Sequence, residues 1–251
     1  NPRSSLTCSL LGFSLFGIPD HNKKIVHIHP GPEEIGRIYN PHLGITANPI
    51  EFVNVLNNAL KGLNTKPLES IASDTLEAHD DYINWGDMPL EAPNSGVDLT
   101  SAFRTLREKL EADTIITNGA GNYAVWGHRL FRFSKVKTQL APISGSMGYG
   151  LPAAIAAKLR FPDQMVVALA GDGCFQMTEN ELATAVQYNA GVIIFVIDNE
   201  MYGTIRMHQH KNYKGKYKHT GLVNPNFADL ATAMGGKGYR VENTEDFYQT
   251  F

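Results

Sequence analysis

Polar side chains follow two apolar segments at the point where each segment ends. The run 165–170 leads into Asp172, and the run 192–197 leads into Asp198 and Asn199. A helix predicted between the runs would make one βαβ unit, whose right-handed crossover leaves both strands parallel with their carboxyl ends at one edge. Open α/β sheets bind ligands at that edge, so we expect these side chains to meet in a binding site.

The groups expected at this edge are hard oxygen donors, which suit Mg²⁺ better than zinc. The side chains of Asp172 and Asn199 with the main-chain carbonyl of Met201 would leave metal positions for a diphosphate and water. Gly171 and Gly173 would let backbone N–H groups approach the phosphates. A tight turn with an Asx cap is the alternative for the Gly-Asp-Gly tripeptide alone, but the matching place of Asn199 favours the metal site.

The elements that would position these groups alternate between strand and helix from residue 97 onward. The predicted strands are 114–117, 165–170, 192–197 and 238–241, and the predicted helices are 99–110, 148–160, 178–188, 227–234 and a last one starting at 244. Thr178 and Glu181 form a predicted capping box. Two strands are apolar on both faces, as central parallel strands are. The pattern predicts an α/β fold with a doubly wound, mainly parallel sheet and helices on both faces.

The residues before this sheet predict part of a second α/β domain. The predicted strands are 24–29 and 44–47, and the predicted helices are 32–39 and one that starts at Pro49 with Asn48 as its cap and Phe52, Val55, Leu56 and Ala59 as its apolar stripe. Residues 62–97 carry prolines, glycines and acids with little periodicity, which is typical of a linker. We expect domain limits of 1–61, 62–97 and 98–251, in a fragment of a longer protein.

The bulk composition argues against several classes of protein. The net charge of −3 argues against a nucleic-acid partner, and the basic run 211–218 is predicted to be a mobile loop. No apolar run approaches the ~18 residues of a membrane helix, and the run 10–16 is not predicted to be a signal peptide. Cys8 and Cys174 give no disulfide framework, which favours a reducing compartment, and we expect the cytoplasm.

The motif Gly171-Asp172-Gly173, followed at a distance by Asp198-Asn199, is similar to the thiamine diphosphate (ThDP) motif. The segments "GSMGYGLPAAIAA", "GCFQMTENELATAVQYN" and "YGTIRMHQ" resemble the acetolactate synthase and pyruvate oxidase-like branch of the ThDP enzymes. The resemblance covers nearly the whole chain. It implies that the main domain has the ThDP-binding fold and that residues 1–61 are the end of the family's middle domain.

The resemblance also implies a set of site residues. Asp172, Asn199 and the Met201 carbonyl would hold Mg²⁺, while Met147 would bend ThDP into its V shape and Met177 would contact the pyrimidine or the substrate. The implied cofactor contacts are Gly121, Asn122, Tyr123, Met147, Gly171, Asp172, Gly173, Cys174, Asn199, Met201, Tyr202 and Gly203. For Met147, plain packing is the alternative.

The implied chemistry is cleavage and formation of carbon–carbon bonds on a 2-oxo acid, with the ThDP ring taking up the electron pair as CO₂ leaves. The glutamate that activates ThDP in the family belongs to an N-terminal domain of the neighbouring subunit, outside this chain. A homodimer or homotetramer is therefore implied. The resemblance leaves open whether FAD is bound.

Three positions depart from the pattern of acetolactate synthases. Asp198 replaces the first Asn of the pair, and little effect is expected because the second member carries the ligand. Cys174 stands where Ser is common; it is either a weaker hydrogen-bond donor to the cofactor or a small buried residue. His208 stands where these synthases carry a Trp. His208 is either a surface histidine or a catalytic-pocket residue, and the latter makes a 2-oxo acid decarboxylase or lyase the alternative function.

Two further classes of protein compete with this interpretation. The segment "GAGNYA", residues 119–124, matches the glycine fingerprint of nicotinamide enzymes, but no acid follows about 20 residues later to bind a ribose. We interpret it as the other half of the diphosphate cradle. A non-catalytic regulator that kept the fold is the third class, and the intact pair of Asp172 and Asn199 argues against it. His27 and His29 share a strand face without a third ligand, so no metal site is expected there.

Overall fold

The computed structural model describes residues 16–18, 22–63, 69–88 and 91–251. The chain divides into two compact units, residues 1–77 and 78–251. Cys8 and nearly all of the run 10–16 lie outside the described residues. The domain limits that we drew from composition stay a prediction.

The first unit contains a two-stranded parallel sheet. Strands β1 (Val26–His29) and β2 (Leu43–Thr46) pair along their full length, close to the predicted strands. The helix predicted over 32–39 is wrong beyond its first turn, since only a 3₁₀ turn forms at Pro32–Glu34. Gly36 then adopts a φ of 75°, a left-handed conformation that ends the turn.

Helix α1 (Pro49–Leu60) follows in the first unit and begins where the sequence predicts. The Oδ1 atom of Asn48 accepts a hydrogen bond from the N–H of Ile50 at 2.9 Å, which caps the helix. Most of the apolar stripe on this helix is exposed in the structure, with Val55 at 68% of its full exposure, while Phe52 is half-buried.

Helix α2 (Glu69–Asp87) occupies much of the segment that we interpreted as a linker. Its sequence lacks an apolar stripe, which is why periodicity did not predict it. Its C-terminal end is fixed by arginines instead. Arg104 donates to the Asp87 carbonyl at 2.8 Å, and Arg107 and Arg132 bind the Asp87 carboxylate. The hydrogen bond from Arg107 is the largest cause that lowers the pKa of the Asp87 carboxyl below its usual value, and Arg132 lowers it further.

The second unit is built on a four-stranded sheet in which all strands run parallel. Its strands are β3 (Ile115–Asn118), β4 (Gln139–Leu140), β5 (Val166–Gly171) and β6 (Ile193–Ile197), in the order β4-β3-β5-β6. Strand β5 lies between β3 and β6, and all six of its residues are buried. This is the burial that its continuous apolar run predicts.

Helices cover both faces of this sheet. They are α3 (Leu99–Lys109), α4 (Ala124–Leu130), α5 (Gly150–Arg160), α6 (Asp172–Phe175), α7 (Glu181–Gln187), α8 (Gly203–Asn212), α9 (Phe227–Ala233) and α10 (Thr244–Thr250). Along β5, Val167 and Leu169 pack with α3, α4 and α10, whereas Ala168 and Ala170 pack with α5, α7 and α9. Because side chains alternate along a strand, these two cores lie on opposite faces. The predicted doubly wound fold is confirmed.

Two local predictions in this unit are wrong. The segment 238–241 forms no strand in the structure, and Gly238 lies against the backbone carbonyl of Ala228 in α9. The capping box fails, because the Thr178 hydroxyl binds the Gly148 carbonyl at 2.9 Å and α7 begins only at Glu181. The basic run 211–218 begins with the last two residues of α8, and its other six residues form a loop as predicted, while the mobility of that loop stays a prediction. None of the helices in the described ranges has the length and apolar character to cross a bilayer.

Candidate cofactor and metal site

Strand pairing brings the two polar strand ends together. In the parallel register of β5 and β6, Gly171 lies opposite Ile197. Asp172 and Asp198 each follow the last paired residue, so both leave the sheet at the same level and the same edge. The meeting of the two strand ends that the βαβ pattern predicts is confirmed.

Asp172 is buried, with 3% of its surface exposed, and its carboxylate is held by three donors. Its Oδ1 accepts from the N–H of Gly173 at 2.8 Å. Its Oδ2 accepts from the N–H of Met201 at 3.2 Å and from Nδ2 of Asn224 at 2.8 Å. A carboxylate has about four acceptor positions, so one position remains, and it is on Oδ1.

The carboxylate of Asp172 lacks a cationic partner. Across the ranges that the structure describes, the salt bridges do not involve Asp172. Asn224 also donates to Oδ1 of Asp198 at 2.6 Å, so two carboxylates share one amide group. A buried carboxylate without a positive partner is costly, and a bound cation would offset that cost.

The donor set at this edge fits Mg²⁺. Within the described part of the chain, no three His, Cys, Asp or Glu side chains converge on one point. Amide oxygens and main-chain carbonyls would therefore have to complete the coordination, together with water and phosphate oxygens. That is an all-oxygen set, which Mg²⁺ prefers and zinc does not.

The other two predicted ligands lie in the turn after β6. The side chain of Asn199 is exposed, and its Nδ2 lies 3.2 Å from the position a Cβ would take on Gly203. Glu200 adopts a φ of 53°, which reverses the chain between the two predicted ligands. The Met201 carbonyl accepts from the N–H of Gly203 at 2.9 Å, and Met201 pairs with Gly221 in an isolated bridge. It is the N–H group of Met201, and not its carbonyl, that contacts Asp172 in this structure.

The glycines of the predicted diphosphate cradle are packed against aromatic rings. A Cβ on Gly171 would lie 2.9 Å from the ring of Tyr123, and one on Gly173 would lie 2.5 Å from the ring of Tyr202. A ring close to each Cα leaves no room for a side chain there. Tyr123 and Tyr202, which we predicted to contact the cofactor, therefore lie beside the backbone of residues 171–173.

The buried thiol of Cys174 connects three loops of the site. Its Sγ accepts from the Tyr123 hydroxyl at 3.3 Å and from the N–H of Gly148 at 3.1 Å, and a Cβ on Gly119 would lie 2.3 Å from it. Burial and then the bond to Cys174 raise the pKa of Tyr123 far above its usual range, so this hydroxyl stays a donor. We had considered a hydrogen-bond donor to the cofactor and a small buried residue as alternatives for Cys174. Its burial in this structure fits the small buried residue.

The two predicted methionines lie on either side of Gly148. This glycine adopts a φ of 81°, and its N–H and carbonyl are bound by Cys174 and Thr178. Met147 is half-buried and packs against the core shared by β3 and β5. Met177 is 51% exposed, and its Cβ lies 3.2 Å from the position of a Cβ on Gly148. The structure thus places both methionines next to Gly148, and their roles toward a cofactor stay predictions.

Helix α8 contacts the loop that contains Gly121 and Asn122. The N–H of Asn122 donates to Oγ1 of Thr204 at 3.0 Å, and that hydroxyl donates to Oδ1 of Asn122 at 2.9 Å. The cradle loop is thereby fixed to the start of α8. His208 lies farther along α8 and is exposed.

Sequence reasoning missed Asn224, Gln176 and Thr204. Asn224 is 52 residues from Asp172 and lies in a loop, so no spacing or periodicity connects them. Gln176 donates to Oδ1 of Asn224 at 2.7 Å. The only sequence signal near Asn224 is the Pro225-Asn226 pair, which starts α9, and that signal concerns the helix rather than the site.

The family follows from comparison with known proteins. Residues 119–251 match the model of the family described as "Thiamine pyrophosphate enzyme, C-terminal TPP binding domain", which is more than half of the chain. The chain belongs to this family of thiamine pyrophosphate enzymes. The glycine fingerprint at 119–124 is therefore part of a ThDP-binding domain, and the nicotinamide interpretation is wrong.

Curated relatives place the chain in the acetolactate synthase-like branch. It is 33% identical over 233 residues to the acetolactate synthase large subunit of Porphyra purpurea, covering 90% of this chain and 38% of the algal protein. It is 44% identical over 129 residues to the acetolactate synthase catalytic subunit of Aspergillus candidus, covering 51% of this chain and 19% of the fungal protein. The predicted family, branch and class of enzyme are confirmed.

A solved structure gives the same fold. The thiamine diphosphate-dependent 4-hydroxybenzoylformate decarboxylase of Rhodococcus jostii RHA1 superposes with a TM-score of 0.70 at 25% identity. The match covers 90% of this chain and 40% of the decarboxylase. The chain thus spans well under half the length of each of these proteins.

Proposed function

We propose that the intact protein is a ThDP- and Mg²⁺-dependent enzyme that cleaves and forms carbon–carbon bonds on a 2-oxo acid. The proposed reaction is decarboxylation followed by carboligation, as the relatives' name, acetolactate synthase, suggests. The observation that carries the proposal is the buried carboxylate of Asp172. It has three hydrogen-bond donors, one open acceptor position and no cationic side chain as a partner among the described residues.

The proposed binding roles rest on the family resemblance and are supported by the meeting of the two strand ends. Asp172, Asn199 and the Met201 carbonyl would hold Mg²⁺, and the N–H groups around Gly173 would bind the diphosphate. When bound, ThDP supplies a ring that accepts the electron pair released by loss of CO₂. Met147 and Met177 would pack against that ring and keep water from it.

The site is proposed to be completed by a second copy of the chain. In the ThDP family, the glutamate that activates the cofactor comes from an N-terminal domain of the neighbouring subunit. We therefore propose a homodimer or homotetramer of the intact protein. The cytoplasmic location stays a prediction, and neither the presence nor the absence of FAD is proposed.

A simple 2-oxo acid decarboxylase or lyase is the second candidate. It is favoured by His208 in place of a Trp and by the fold shared with a decarboxylase of Rhodococcus jostii RHA1. The two candidates differ in what accepts the activated fragment: a second carbonyl compound or a proton.

Calorimetry and product analysis test these proposals. Titration of ThDP into the intact protein should give binding that depends on Mg²⁺, and binding that is the same in EDTA would refute the proposed site. With pyruvate as substrate, acetolactate as the product supports the carboligase. Acetaldehyde without acetolactate supports the decarboxylase.

A further inference from the structure

Asn224 lies in the loop before α9, and its side chain contacts both acids at the edge of the sheet. Its Nδ2 donates to Oδ2 of Asp172 at 2.8 Å and to Oδ1 of Asp198 at 2.6 Å. An amide NH₂ group has two donors, so both are used. The amide therefore stands between two carboxylates of like charge.

The orientation of this amide is fixed from its other side. Nε2 of Gln176 donates to Oδ1 of Asn224 at 2.7 Å. A reversed amide would place its oxygen against the carboxylates of Asp172 and Asp198 and its NH₂ against the Gln176 NH₂. Such an arrangement loses three hydrogen bonds, so the network determines which way the amide points.

We propose that Asn224 is a positioning residue for Asp172, and this proposal rests on the metal site proposed above. With Met201 and Asn224 bound, Oδ2 of Asp172 has both acceptor positions occupied. Oδ1 has one donor, from Gly173, and one open position. Asn224 thus selects which carboxylate oxygen faces the cation. Without it, each carboxylate oxygen would keep one donor and one open position, so neither oxygen would be selected for the cation.

The effect should appear in metal affinity. Removing a residue that orients a metal ligand typically lowers metal affinity or activity by about 10- to 100-fold. We expect Asn224→Ala to weaken Mn²⁺ binding to the intact, ThDP-saturated protein by about 10- to 100-fold, measured by electron paramagnetic resonance titration.

Two matched variants separate positioning from plain structural support. Asp198→Asn removes one of the carboxylates that the amide binds but keeps the bond to Asp172, so it should change Mn²⁺ affinity much less than Asn224→Ala does. Gln176→Leu leaves Asn224 in place without its orienting donor, so it should weaken Mn²⁺ binding in the same direction by a smaller factor. Gln176→Leu also provides the test if Asn224→Ala does not fold.

The outcomes distinguish this proposal from the proposed function. If Asn224→Ala lowers the melting temperature but leaves Mn²⁺ affinity unchanged, the side chain is structural and the positioning role is refuted. Unchanged affinity in folded Gln176→Leu, where Asn224→Ala does not fold, refutes it equally. If the unmodified protein binds no Mn²⁺ in the presence of ThDP, the proposed function fails and this proposal with it.

Discussion

The two side chains proposed to hold the metal differ sharply in how firmly they are held. Asp172 follows a strand buried on both faces and is bound by three donors. Asn199 follows a half-buried strand and is exposed, and in the described part of the structure its side chain makes no hydrogen bond. One ligand is preorganised before any cation arrives, whereas the other has to be ordered when the cation binds.

In the proposed metal site, this difference would assign separate tasks to the two strand ends. A preorganised carboxylate provides affinity, because no ordering cost is paid at the moment of binding. An exposed amide beside the left-handed Glu200 can adjust to the coordination shell of the ion. The contrast extends to two other glycines, because Gly150 lies against backbone atoms of the β3 and β5 region, whereas Gly203 lies against the Asn199 side chain after β6.

The largest expected effect comes from removing the preorganised ligand. Asp172→Ala should weaken Mg²⁺-dependent ThDP binding by at least about 100-fold, because it removes the only charged ligand proposed for the metal. Calorimetry of the intact protein measures this, with exposed Asp163→Ala as the control. Unchanged ThDP affinity in Asp172→Ala would exclude Asp172 as a ligand.

Removing the adjustable ligand should have a smaller effect. Asn199→Ala is expected to weaken Mg²⁺ binding by about 10-fold, because water can take the vacated position in an Mg²⁺ shell. The melting temperature without metal should not change, because the side chain is exposed. A loss as large as that of Asp172→Ala would show that the two ligands contribute equally.

A pair of glycine substitutions tests rigidity at the two strand ends. A Cβ on Gly150 would lie 3.0 Å from the Gly119 nitrogen and 3.2 Å from the Leu169 carbonyl oxygen, both backbone atoms near β5. Gly150→Ala should therefore destabilise the protein by about 1–3 kcal/mol. Gly203→Ala meets only the movable Asn199 side chain at 3.2 Å and should change stability little. Chemical denaturation compares the two, and equal losses would contradict the contrast.

The smallest effect concerns alkaline pH on the β5 side. The pKa of Tyr123 is raised in the folded protein, whereas in the unfolded chain it lies near 10. Its contribution to stability is complete below pH 10 and is lost as pH rises above 10, because the unfolded chain ionises first. In Tyr123→Phe, the free energy of unfolding from chemical denaturation should fall less between pH 9 and about 11 than it does in the unmodified protein. Exposed Tyr239→Phe is the control, and an unchanged slope in Tyr123→Phe would contradict the assignment.

Sequence patterns sufficed where the physics is local or periodic. The continuous apolar run before Asp172 predicts a central strand, and the βαβ pattern predicts that Asp172 and Asp198 leave the sheet together. Asn48 caps α1 as its type and place indicate. These features depend on residues close in the chain or on strand direction, which the sequence displays.

Patterns failed where a tertiary contact competes with a local one. Thr178 has the sequence of a cap, but its hydroxyl binds the Gly148 carbonyl from another loop. The segment 238–241 has the residues of a strand, but in the structure no strand forms and Gly238 packs against the backbone of α9. Only the tertiary fold brings Asn224 next to Asp172 and Asp198. None of these contacts can be identified from spacing, because each depends on the position of a distant element.

The separation of Asn224 from Asp172 has a consequence for synthesis on the ribosome. The bonds from Met201 and Asn224 to Asp172 span 29 and 52 residues. A nascent chain that has released β5 but not the loop before α9 has the acid without its amide donor. We therefore expect the carboxylate to reach its final orientation only after residue 224 has emerged, which makes this corner of the sheet a late step in folding.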